Sequence, residues 1–387
     1  MNVSIYDSLL KRESILNNPS LSLSSVSTSD IDAAEDELDS LSEDSDLIFV
    51  LEKQREAVKA VSPRNTETDI SNALLGSIDE AALKLELLNA WTEGGVDVIA
   101  PMLDMMLSNI TNDGRIEGTE IEDVIQIILI DLMINNKTEG ISQNEIAWLT
   151  EFIGSGAHKD RIAETGITQQ KLIDAMKKVY QKGLEDENSI AAKAAQILFN
   201  TYGQDVEKKI SEVMNPETYW SDKNGFYLGN DGYSQENEMG DENCIRLSPV
   251  LRLIVLSTAA RKDNDLSPND WDKILQSTPK EIERILNDNI FDFIILNTGD
   301  NKWQIFNPEQ SGGAHFGQDR WWLDYIGTGI DFSYLSEMFD KFPSRVLTDD
   351  ELKQINRIGD NVKMIMQTLK YWFQILRDER VAIARNI

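Results

Sequence analysis

The stretch Asn109-Ile-Thr-Asn-Asp-Gly-Arg-Ile-Glu-Gly-Thr-Glu120 sets oxygen-bearing side chains at the spacing of a helix–loop–helix calcium site. Asn109 and Thr111 stand at the first and third ligand positions and Asp113 at the fifth. Gly114 falls at the sharp turn, Ile116 at the apolar position, and Glu120 where a bidentate carboxylate closes the shell. Calcium is a hard cation that wants charged oxygens, and here Asn and Thr replace two of the usual carboxylates. Any affinity would therefore be weak. The paired loop that such sites usually have is missing, because residues 135–145 are one position out of register. A solvated Asn-Asp-Gly turn ahead of a helix explains the same letters and is the expected outcome, as it is for Asp263-Asn-Asp265. No cofactor is required, and calcium is the single metal candidate.

Other reactive residue types are sparse. His158 and His315 are the sole histidines and Cys244 the sole cysteine, which excludes a His-rich metal site and an internal disulfide framework. His315, in Gly-Gly-Ala-His-Phe-Gly, would be the base for a Cys244 thiolate in a thiol-protease pair. Neither residue sits in a recognisable nucleophile turn. Trp303, Trp321, Trp322 and Tyr325 would suit a carbohydrate groove beside carboxylates, but core or interface aromatics are the expected reading. No phosphate-binding glycine loop, serine elbow or zinc spacing occurs. The expectation is a protein without catalysis.

Composition agrees. A net charge of −30 over 387 residues disfavours nucleic acid and anionic membrane surfaces as partners. No apolar run is long enough to span a bilayer, and the first residues lack the layout of a cleaved secretory signal. Residues 1–46 are Ser-rich and acidic and are expected to be disordered. Residues 47–215 read as a helical region, with helices over 47–61, 79–91, 96–108, 121–134, 145–153, 168–181 and 189–214. Four starts share a phrase: Ile141-Ser-Gln-Asn-Glu145, Ile167-Thr-Gln-Gln-Lys171, Leu266-Ser-Pro-Asn-Asp270 and Leu347-Thr-Asp-Asp-Glu351. An apolar residue before a hydroxyl cap is the signature of a staple with a capping box. Residues 216–340 read as a mixed α/β insertion: hairpin turns in 216–245, helices over 248–261 and 268–286, and a second hairpin from 291–296 with 302–306.

Residues 341–387 carry the strongest pattern. Ile355, Ile358, Val362, Ile365, Leu369, Trp372 and Leu376 alternate spacings of three and four, the 3.5-residue period of a helix that wraps a partner helix. Burying such a seam supplies on the order of 10–20 kcal/mol gross, at roughly 1.5–3 kcal/mol per side chain. Residues 189–214 are the natural partner within the chain. The segment is also basic for this chain, with Lys363, Lys370, Arg377, Arg380 and Arg385. It is suited to an acidic partner or to its own helix dipole. The fold class expected is mainly α, with an inserted α/β region and a long C-terminal coiled-coil helix.

Lys341-Phe-Pro, residues 347–351 and Asp360-Asn-Val-Lys-Met-Ile-Met-Gln-Thr-Leu369 resemble the hydrophilic translocator, or needle-tip, proteins of bacterial type III secretion systems. These form the invasion-antigen D and V-antigen group. The likeness covers about fifty residues, and Trp372, Phe373 and the segment 377–380 depart from the small and polar residues usual there. The resemblance implies a non-enzymatic protein, cytoplasmic before export through an uncleaved N-terminal signal and then secreted to the bacterial surface. It implies as partners the needle subunit and the hydrophobic translocators, with self-assembly and a cytosolic chaperone as further possibilities. Two alternatives stand beside it: an injected effector using Cys244 and His315, and a cytosolic secretion gatekeeper, which the helical region suits and a Trp-rich α/β insertion does not.

Overall fold

The computed structural model describes residues 28–42, 45–61, 66–116, 119–154, 169–186, 189–213, 247–262, 266–299, 301–306, 322–325, 330 and 332–385. The chain forms two compact units. Unit 1 comprises Met1–Asn89 with Val346–Ile387, and unit 2 is Ala90–Arg345, inserted between them in sequence. No described helix is long and apolar enough to cross a membrane.

Unit 1 is built from helices α1 (Thr28–Asp39), α2 (Leu47–Ala60), α3 (Thr66–Glu93), whose last turn belongs to unit 2, and α15 (Asp349–Arg385). Each of the three upstream helices turns an apolar stripe inward: Ile31, Ala34 and Leu38 from α1, Val50, Leu51, Ala57 and Val58 from α2, and Leu74, Ile78, Ala81, Leu85 and Leu88 from α3. In α1 and α3 the stripe recurs at spacings of three and four, as one helix face requires. Local chemistry starts the helices where the sequence indicates. Asp46 accepts the Ile48 amide at 2.9 Å, and Thr348 exchanges bonds with Glu351 as a capping box.

The expected disorder of residues 1–46 is corrected for α1. Six acidic residues in twelve hide its short apolar stripe in composition, but the stripe has the helical period and a surface to cover. Residues 1–27 lie outside the described residues.

Unit 2 contains α4 (Ile99–Ile110), α5 (Thr119–Ile134), α6 (Gln143–Gly154), α7 (Gln169–Glu185), α8 (Ile190–Tyr202), α9 (Val206–Val213), α10 (Pro249–Lys262), α11 (Pro268–Gln276), α12 (Pro279–Leu286), α13 (Ile290–Asn297) and α14 (Phe332–Phe339). Strands β1 (Trp303–Phe306) and β2 (Trp322–Tyr325) pair antiparallel, with Trp303 opposite Tyr325 and Phe306 opposite Trp322. Helices α5 and α10 are mostly apolar and buried on every side along nearly their whole lengths, so the other helices pack around them. Small residues set one spacing: Gly183 on α7 sits where a Cβ would meet Ile128 on α5 at 2.9 Å.

The protein is mainly α. The inserted α/β region is not supported, because the described part of 216–340 is helical apart from the four-residue ladder. The run 291–296, read as a strand from its aromatic and β-branched letters, is helix α13. Ile290, Phe293 and Ile294 are buried at helical spacing, and Asn289 starts the turn with a carbonyl bond from the Phe293 amide at 2.8 Å. β1 therefore pairs with β2 and forms no hairpin with 291–296. The expected hairpins in 216–245 lie outside the described residues. Residues 189–214 are not one helix: Gly203, at φ +58°, breaks them into α8 and α9. Residues 268–286 divide at Pro279, whose ring takes the first helical position of α12.

Candidate partner interface

Helix α15 is 37 residues long and carries the seam. Ile358, Val362, Ile365, Leu369, Trp372 and Leu376 are buried and Ile355 is partly buried, all in one cluster with the stripes of α1, α2 and α3. Phe373 joins them and sets its ring against Trp372 at 5.7 Å. The seam is thus covered by the chain's own upstream helices. The expected partner, residues 189–214, is replaced in that role by α1 and α2, while α8 packs on α5 within unit 2.

One polar bond fixes the register. Gln54 is fully buried on α2 and donates its side-chain amide to the Val362 carbonyl at 3.0 Å. A sliding α2 would leave that amide unsatisfied in an apolar layer, at a cost of about 1–3 kcal/mol. Closer to the start of α15, the Leu47 side chain lies over Gly359, 3.8 Å from the place a Cβ would occupy, an ordinary van der Waals distance.

Charge completes the arrangement. Arg377 pairs with Asp32 at 3.0 Å and with Glu35, Lys370 pairs with Asp39, and Lys53 of α2 pairs with Glu37 at 2.9 Å. The acidic surface that receives the basic terminal helix is therefore α1 of the same chain. Each pair is solvent-exposed enough to contribute about 0–1 kcal/mol, so the apolar stripe holds α1 and the charges orient it.

The opposite side of α15 is open. Met364 is 57% exposed, Tyr371 67% and Leu352 47%, among Lys353, Arg357, Asp360 and Gln367. Met364 and Tyr371 lie seven residues apart, hence one above the other.

The calcium candidates make bonds within the protein. Asn109 ends α4 and donates its amide to the Gln276 carbonyl at 3.1 Å. The Thr111 hydroxyl donates to the Leu107 carbonyl at 3.0 Å, and Asp113 accepts the Arg115 amide at 2.9 Å. Glu120 is buried in the first turn of α5. The first three serve helix termination and turn closure, and among the described residues no group of three or more His, Cys, Asp or Glu is arranged to hold a metal.

Trp303 and Tyr325 pack against each other. Both are buried, their rings meet edge to face at 5.0 Å, and the Trp303 indole N–H donates to the Tyr334 hydroxyl at 2.9 Å. Trp321, His158, Asp263-Asn-Asp265 and the Cys244–His315 pair lie outside the described residues, as does the side chain of Trp322.

A cleft of about 250 Å³ in unit 2 is lined in part by Met106, Asp123, Arg252, Leu275 and Thr278. Arg252 is buried there and donates to the carbonyls of Leu247, Ile274 and Ser277 at 2.8–2.9 Å, closing the end of α11. Sequence reasoning passed over Arg252, Gln54 and α1, since a single polar letter does not say which backbone atom it will meet.

Comparison with known proteins finds no matching family model, no matching curated protein and no matching solved structure.

Proposed function

We propose that this chain is a non-enzymatic assembly protein of a bacterial type III secretion machine, acting at the needle tip to support the translocation pore. The carrying observation is α15: a long terminal helix whose seam is closed by α1 and α2, leaving an outward stripe that includes Met364 and Tyr371. The resemblance of residues 341–369 to needle-tip proteins supplies the setting.

The exposed stripe of α15 supports an assignment of the partner contact to that face. With the seam covered, the folded chain meets the needle subunit through the outward stripe. A partner that used the seam would first have to displace α1. The test compares the amount of protein in culture supernatant and on the cell surface with and without a working export ATPase, together with a Met364→Glu variant. ATPase-dependent export, with surface seating lost in the variant, is the expected result. Export that ignores the ATPase would overturn the reading. Normal seating of the variant would overturn the role of the stripe.

One observation favours a second reading. The described part of the insertion is helical apart from the short β1–β2 ladder, which weakens the objection to a cytosolic gatekeeper of the same machine. That reading expects retention in the cytoplasm and altered secretion of other substrates when the chain is deleted.

A further inference from the structure

Where α5 ends and α8 begins, unit 2 encloses two carboxylates and one ammonium. Asp131 is 2% exposed on α5, and its Oδ2 accepts the Ala191 amide at 2.9 Å in the first turn of α8. The partial positive charge of that helix end favours an anion there. Asp186, just past α7, is also buried. Its Oδ1 is held by Lys137, and its Oδ2 has no hydrogen-bond partner among the described residues. The Lys137 side chain is 46% exposed, so water screens much of its charge. The Ser189 hydroxyl caps α8 through the Ala192 amide, and the Asn135 amide donates to Asp131's own backbone carbonyl. Asp186 and Lys137 are the charged groups that act on Asp131.

Two buried carboxylates therefore share one half-solvated cation beside a tight helix approach, where a Cβ on Gly183 of α7 would meet Ile128 of α5 at 2.9 Å and the Ala191 carbonyl of α8 at 3.1 Å. We propose that this junction is a one-proton binding site, and that proton uptake in mild acid tightens the pairing of α5 with α8.

The protonated form keeps what the junction needs. A neutral carboxyl still accepts the Ala191 amide through its carbonyl oxygen, and it gains an O–H donor in a junction where Asp186 has an oxygen without one. Burial, the largest influence, pushes the Asp131 carboxyl up to about 6; the Ala191 amide opposes this, and the Asp186 charge adds to it. Because the folded group binds its proton more tightly than an ordinary aspartate at 3.8, its contribution to stability is full below about 3.8. That contribution is lost as pH rises through about 6.

Hydrogen exchange on the full chain, read on peptides covering residues 190–198 and corrected for intrinsic rates, tests this directly. Protection there is expected to rise about ten-fold from pH 7.5 to pH 5, and Asp131→Asn is expected to abolish the rise while leaving the protein folded. The comparison cancels the general effect of acid on so negative a chain. A rise of equal size in Asp131→Asn, or no rise in the wild type, would overturn the proposal. Should Asp131→Asn fail to fold, Lys137→Met decides. Removing the ammonium must move the profile to higher pH, and an unmoved profile refutes the site.

Discussion

The two units solve the burial problem in opposite ways. Unit 1 joins helices that are apolar on one stripe, so nearly all of their polar groups remain in water and meet as exposed ion pairs such as Arg377 with Asp32. Unit 2 surrounds α5 and α10, which are buried on every side and carry polar residues inward with them. Two of those residues act as caps for other helices: Asp131 receives the Ala191 amide of α8, and Gln126 receives the Val250 amide of α10 at 2.9 Å. A helix start buried in an interior must find an acceptor for its free amides, and α5 supplies two. Unit 1 is consequently tolerant at its surface and sensitive along its seam, whereas unit 2 is sensitive wherever its close approaches and buried polar contacts occur.

The largest effect that would break this contrast belongs to the seam. Leu369 is fully buried, and Leu369→Asp should cost about 4 kcal/mol or more by placing a charge in an apolar layer. Tyr371→Asp, two residues on and facing solvent, should stay within about 0.5 kcal/mol. Urea unfolding followed by circular dichroism reads both, and similar midpoints for the two variants would show that the seam does not carry unit 1.

A smaller loss is expected in unit 2. Gly183→Ala adds a Cβ at 2.9 Å from Ile128 and 3.1 Å from the Ala191 carbonyl. The gain in helix propensity is about 1 kcal/mol and overpacking costs about 1–3 kcal/mol, so the net change is a destabilisation of about 1 kcal/mol. A thermal midpoint raised above that of the wild type would mean that α5, α7 and α8 can part at no cost, and that unit 2 is as tolerant as the surface of unit 1.

The smallest effect concerns the charges on α1. Arg377→Gln removes pairs to Asp32 and Glu35 and should cost less than about 1 kcal/mol, shrinking further in high salt. Limited proteolysis of the α1 segment across a salt series would sharpen the division of labour. Release of α1 by this single change at low salt would mean that charge, and not the stripe of Ile31, Ala34 and Leu38, holds it in place.

What the sequence determined by itself was local or periodic. Capping boxes at Ser142, Ser267 and Thr348 form as their spacing requires, because cap and partner are three residues apart on one chain and need nothing else. The seam of α15 was equally legible, since a 3.5-residue period records the direction of burial. Tertiary structure alone decided what lies across that seam. A stripe states that it must be covered and not by which helix, so acidic α1 with its three small contacts displaced the longer candidate at 189–214. It also decided that 290–297 coils while its letters favour a strand. The same holds for the fate of single polar residues: Asp131, Gln126, Gln54 and Asn109 took roles set by whichever distant backbone group arrived beside them. Hydrogen bonds and burial act between atoms that the fold brings together, and no spacing along the chain records those meetings in advance.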